Sequence, residues 1–109
     1  MKAITYAGTE VLTGDDIAVA LLEYGAALAE AGSAETVDVP IVDANGQRGT
    51  VTILVGPASQ IVARDVPSAF EELVDEATVD ALRLKARRLR PTATVDTDKP
   101  TQTDWTEGY

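Results

Sequence analysis

The chain has 109 residues, no cysteine, no histidine and a formal net charge of −9. Hydrophobic residues make up 45% and charged residues 25%, the balance of a folded domain with one core of ordinary size. The missing residue types exclude disulfides, thiolate nucleophiles, cysteine-based zinc sites and histidine-dependent catalysis. No apolar run reaches the ~20 residues that span a bilayer, and we expect a cytoplasmic protein with no membrane association.

The first segment predicts β-structure followed by a long helix. Residues 2–6 alternate as a strand, and the turn that follows leads to residues 10–12, so we expect a hairpin or a bent strand. Thr13 and Asp16 have the spacing of a capping box, which places the helix start at residue 14 or 15. The helical stripe is Ile17, Leu21, Tyr24 and Leu28. Gly32 then predicts a left-handed cap at the helix C-terminus.

The other faces of this first helix are also weakly polar. Alanine, glycine and valine fill most of them, and Glu23 and Glu30 are the only charges after the first turn. A helix of this composition is covered on two sides or lies at a subunit contact.

Two half-buried strands are predicted at residues 35–42 and 49–55. A two-residue loop between them would place Val39 opposite Thr52, an apolar side chain against a polar one. A three-residue loop with Gly46 in the left-handed region places Val39 opposite Val51 instead. We favour the three-residue loop, because it pairs apolar side chains with apolar ones.

Proline and glycine mark the next two features of the chain. Pro40 cannot donate to a ladder, so we expect the strand at 35–42 to be an edge strand or to contain a bulge. Residues 60–64 are interpreted as a further strand because of a β-branched pair, with a short helix beginning at Pro57 as the alternative.

A second helix is predicted from the capping box of Ser68 and Glu71 to the residue before Pro91. Its predicted stripe is Phe70, Leu73, Val74, Ala77, Ala81 and Leu84. Acidic residues crowd its start and basic residues its end, as the helix dipole favours.

These elements predict an α+β fold with a small antiparallel sheet of three to five strands and two helices packed on one face. Residues 1–90 form the single domain. Residues 91–109 lack apolar periodicity and are interpreted as a disordered acidic C-terminal tail.

Charge is segregated along the chain. Residues 1–82 carry a net charge of −11, residues 83–90 carry +5 and the tail carries −3. The basic residues are Arg83, Lys85, Arg87, Arg88 and Arg90. We expect this basic cluster to dock on an acidic protein surface. Nucleic acid is the less favoured partner, because the acidic remainder repels phosphates and no aromatic residue lies between the bases.

Other candidate sites are weaker, and no cofactor or metal ion is predicted. Asp15 and Asp16 lie in a first helical turn, where acidic residues are common without any catalytic role. The turn at residues 43–46 resembles part of a calcium loop but lacks acids at the terminal ligand positions. Trp105 and Tyr109 form a candidate docking motif, with a simply solvated tail as the alternative.

The leading hypothesis is a non-enzymatic protein-interaction or assembly module that forms a homodimer. One alternative is a nucleic-acid-associated protein that uses residues 83–90. The other is a small carboxylate-dependent enzyme or ligand-binding domain, which requires two carboxylates or Tyr24 to converge on a concave site. The sequence does not identify a small-molecule ligand.

Overall fold

The computed structural model describes residues 1–90. The elements are β1 (Lys2–Tyr6), β2 (Thr9–Thr13), α1 (Asp15–Ala31), β3 (Glu35–Val42), β4 (Arg48–Val55), β5 (Ile61–Asp65) and α2 (Glu76–Leu89). All five strands join one antiparallel sheet in the order β4-β3-β2-β1-β5. The predicted α+β fold is therefore confirmed, and the residues predicted as either a strand or a short helix form β5.

The two hairpins of the sheet use different turns. Between β1 and β2, Ala7 and Gly8 have φ values of 50° and 82°, the positive values that a two-residue turn of type I′ requires. Between β3 and β4, Val39 pairs with Val51, so the predicted three-residue loop is confirmed. Gly46 has a φ of 82° and donates to the carbonyl of Asp43 at 3.0 Å.

The prediction that β3 is an edge strand or contains a bulge at Pro40 is wrong, because β3 lies between β4 and β2 and pairs with β4 residue by residue from Glu35 to Val42. Only Leu12 and Val42 are paired across β2 and β3, and the two strands separate on either side of that pair. The carbonyl of Pro40 accepts a hydrogen bond from Thr13 Oγ1 at 2.7 Å, on the side of β3 where β2 ends. The backbone nitrogen of Pro40 therefore faces the side where β2 and β3 are no longer paired. No hydrogen bond between strands is lost there, so an inner strand tolerates the proline.

Helix α1 begins and ends close to the predicted residues, but its N-terminal cap differs. The N-cap is Gly14, without a side-chain hydrogen bond, and Thr13 is buried with its hydroxyl directed to β3. The predicted capping box of Thr13 and Asp16 is therefore wrong. A Cβ atom at residue 14 would lie 1.8 Å from the carbonyl oxygen of Leu73, so the close approach of this segment requires glycine. Gly32 is left-handed at the C-cap, as predicted.

Helix α2 begins later than predicted. Asp75 is its N-cap and accepts from the backbone N–H of Thr78 at 3.1 Å, so the predicted capping box of Ser68 and Glu71 is wrong. Long-range contacts hold the preceding residues out of a helix: Leu73 is buried, and its N–H points to the sulfur of Met1 at 3.3 Å. The buried residues of α2 are Val79, Leu82 and Ala86, in place of the predicted stripe.

The core lies between the sheet and α1. It contains the predicted α1 stripe together with Ile4, Val37, Val39 and Val55. Helix α2 packs mainly on the side of α1, so that both helices share one cluster of buried apolar residues. Within residues 1–90, no helix combines the length and the apolar character that crossing a membrane requires.

Candidate functional site

Helix α1 presents apolar residues in three directions. Ile17, Leu21 and Leu28 are buried towards the sheet. At 100° per residue, Ala20 and Ala27 lie on the side that faces α2, and both are almost fully buried. Their small side chains let the two helices pack closely.

The third direction carries an apolar stripe without a partner in the described part of the chain. We call the residues Val19, Leu22, Ala26 and Ala29 the outer stripe. All four are exposed, with Val19 at 38% and Leu22 at 36% of their full accessibility. Their spacing of three, four and three residues is typical of a helix face that packs on another helix.

A cavity of about 200 Å³ borders the outer stripe. It lies between α1 and the connection from β4 to β5, where Gly25, Gly56, Pro57 and Ile61 contribute to its walls. The exposed apolar surface of α1 therefore continues onto the sheet side of the molecule.

Two members of the basic cluster pair with α1. Arg83 Nε lies 3.4 Å from Glu23, and Arg90 donates to both carboxylate oxygens of Glu30 at 2.9 and 2.7 Å. The two pairs are seven residues apart in each helix, so α1 and α2 run parallel in register. Both pairs are partly exposed, and each contributes roughly 0–1 kcal/mol.

The remaining bases of the cluster have other surroundings. The ammonium of Lys85 lies 5.9 Å from the centre of the Tyr24 ring, within range of a cation–π contact. Arg87 lines a shallow cavity with Arg83 and Arg90, and Arg88 is exposed. The predicted docking motif of Trp105 and Tyr109 and the predicted tail at 91–109 lie outside the described residues.

Several carboxylate side chains cluster at the N-terminal ends of the two parallel helices. A cleft of about 520 Å³ there is lined by Asp15, Asp16, Glu72, Asp75, Glu76 and Asp80, among others. Several of these groups have partners: Glu72 accepts from the backbone N–H of Asp15 and from the amine of Met1, and Asp75 caps α2. Within residues 1–90, no group of three or more such side chains is arranged to hold a metal ion.

Tyr24 does not join this acidic cleft. It is buried, and its hydroxyl donates to Glu35 Oε1 at 3.0 Å. Burial first, and then the hydrogen bond to Glu35, raise the pKa of Tyr24 to about 12. A phenol in this state is a poor general base near neutral pH.

Comparison with family models, with curated proteins and with solved structures finds no match to this chain. The candidate site therefore rests on geometry and chemistry alone. The outer stripe is the surface that those observations favour. Sequence reasoning identified the unusual apolarity of α1, and the structure adds which of its apolar residues stay exposed when residues 1–90 are considered.

Proposed function

We propose that the chain is a non-enzymatic protein-interaction or assembly module that forms a homodimer through the outer stripe of α1. The observation that carries this proposal is the exposed, uncharged row of Val19, Leu22, Ala26 and Ala29. Burial of such side chains contributes about 25 cal/mol for each Å² removed from water.

Charge also favours this surface as the interface. Residues 1–82 carry a net charge of −11, so two copies repel each other over most approaches. None of the four residues of the outer stripe is charged, so the stripe itself adds no carboxylate to a contact between two copies. A two-fold axis near Leu22 and Ala26 would pack the stripe of one copy against that of the other, as a self-complementary interface requires.

In this proposal, the basic cluster orients α2 against α1 within the domain and also contacts acidic protein surfaces. Arg83 and Arg90 already have carboxylate partners on α1, which reduces what they offer to a phosphate backbone. A cytoplasmic location is part of the same proposal, and its support comes from the sequence alone.

Sedimentation velocity tests the homodimer. We expect the wild-type protein to sediment as a dimer at high micromolar concentration, and Leu22→Lys to sediment as a folded monomer, because a lysine at the centre of the stripe would be desolvated. Val62→Lys is the matched control, since Val62 is 59% exposed on β5 and does not belong to the stripe. A monomeric wild type, or equal dissociation of both variants, would overturn the proposal.

A further inference from the structure

One edge of the sheet has main-chain groups available for pairing. Among residues 1–90, β4 is an outermost strand of the sheet and pairs only with β3. The carbonyl of Leu54 accepts from the Tyr6 hydroxyl and from Ser59 Oγ, so it points away from β3. Because main-chain groups alternate along a strand, the N–H and C=O groups of Thr50 and Thr52 point to the same free edge.

An apolar cleft of about 260 Å³ lies beside this edge. Its inner walls are formed by Ile4, Val11, Leu21, Val39, Val51 and Ile53. A strand added to β4 would direct every second side chain to the same face as Val51 and Ile53. The inward side chains of such a strand would therefore enter the cleft and cover the exposed part of the core.

The surroundings of the cleft restrict what can occupy it. Ala7 and Thr9, at the turn between β1 and β2, line the cleft together with Thr52 of β4. The Tyr6 side chain also lines the cleft, and its hydroxyl occupies the Leu54 carbonyl, so an added strand would be short and centred on Thr50 and Thr52. Residues 49–63 contain no charged side chain, whereas acidic residues dominate the rest of the domain. Natural edge strands are commonly protected by charge, proline or a bulge, and β4 has none of these beyond Arg48.

We propose that the free edge of β4 and the adjacent cleft bind an extended, uncharged peptide strand of a partner protein, whose alternate aliphatic side chains enter the cleft. Main-chain hydrogen bonds to Thr50 and Thr52 supply affinity, and the apolar cleft selects the inward side chains. The proposal deepens the assignment as an interaction module, but it does not require the dimer of the outer stripe.

The probe is an acetylated and amidated peptide of about seven residues that alternates threonine with valine and carries one glutamine at each end for solubility, so that it is uncharged. We expect it to slow hydrogen exchange at the amides of Thr50 and Thr52 and to shift the methyl resonances of Val51 and Leu21. The same titration with Leu22→Lys tests the site in a protein that cannot dimerise through α1. Failure of the peptide site and failure of the dimer are therefore observed separately.

Thr52→Pro provides the decisive variant. Its ring removes an N–H that β3 does not use, so the fold tolerates it at an edge, while strand addition loses a hydrogen bond. We expect binding to weaken about tenfold. Thr52→Val is the matched control, since it keeps the N–H and should bind as the wild type does.

A peptide with proline at its central position tests the same bond from the other partner and requires no variant of the protein. It should not protect Thr50 or Thr52 from exchange. Equal binding of both peptides, equal binding to Thr52→Pro and Thr52→Val, or protection confined to α1 would overturn the proposal. The absence of binding at millimolar peptide would also overturn it. The same holds for hydrogen-exchange protection at β4 that depends on protein concentration alone, because that result would indicate pairing of β4 with a second copy of the chain.

Discussion

Two separate constraints, one on the backbone and one on space, favour glycine at position 46. Its φ of 82° lies in the left-handed region, and a Cβ atom there would lie 2.7 Å from Cε1 of Phe70. We expect Gly46→Val to lower the free energy of unfolding by at least about 1–2 kcal/mol, because a β-branched residue resists positive φ and must displace the ring. Urea denaturation measures the loss.

Asn45→Val is the control for that experiment. Asn45 is not among the residues with positive φ in the described part of the chain, so valine can adopt its backbone conformation. Its effect should be within about 0.5 kcal/mol. Comparable losses at both positions would contradict the three-residue turn and indicate that both residues are left-handed.

Tyr24 predicts a dependence of stability on alkaline pH. Its pKa is about 12 in the folded protein and about 10 in an unfolded chain, so the unfolded chain releases the phenolic proton first. The unfolded state then binds fewer protons than the folded one, and stability falls as the pH rises from about 10 to about 12, by up to roughly 2–3 kcal/mol.

Urea denaturation across this pH range tests the effect of Tyr24. We expect Tyr24→Phe to be less stable than the wild type near neutral pH, because it leaves Glu35 without its donor. Its stability should fall less steeply at alkaline pH. An equally steep fall in the variant would show that other groups cause the dependence.

At the scale of elements, adjacent alanines of α1 should respond differently to the same substitution. Ala27 is 1% exposed at the contact with α2, whereas Ala26 belongs to the outer stripe. We expect Ala27→Leu to cost about 1–3 kcal/mol by overpacking the helix pair. Ala26→Leu should change stability by less than about 0.5 kcal/mol.

Both alanine variants are best measured by thermal unfolding at low protein concentration, so that self-association does not contribute. The two substitutions change helix propensity equally, so the difference between them isolates the packing against α2. If Ala26→Leu were the more damaging variant, the assignment of the two faces of α1 would be reversed.

The helices show how far local signals determine an element. The apolar period of α1 and the glycine after it are local, and they predicted that helix well. The start of α2 depended on contacts between residues far apart in the chain. Met1 accepts from the N–H of Leu73, and Gly14 approaches the carbonyl of the same residue. Such contacts removed the segment around Ser68 from the helix, although its capping spacing favoured one.

At the scale of the whole molecule, the segregation of charge was visible in the sequence, but its partners were not. The pairs Arg83–Glu23 and Arg90–Glu30 require the parallel packing of two helices separated by three strands in the chain. The cleft beside β4 was missed for a similar reason, since its walls come from residues of β1, β2, α1, β3 and β4 that are far apart in the chain. A possible signal was the absence of charge over residues 49–63.

The final prediction concerns the independence of the domain from residues 91–109. Residues 1–90 contain one continuous apolar cluster that includes both helices, and Arg90 at the end of α2 is bonded to Glu30. Deleting the chain from Thr92 onward should therefore leave the melting temperature within a few degrees of the wild type. The measurement is sensitive enough to test this, because a loss of only 1 kcal/mol would lower the melting temperature by about 4–8 °C. Trp105 is the only tryptophan, so its fluorescence reports on this segment alone. We expect its emission maximum to be the same in buffer and in urea. A large fall in melting temperature together with blue-shifted emission in buffer would show that Trp105 packs on the domain.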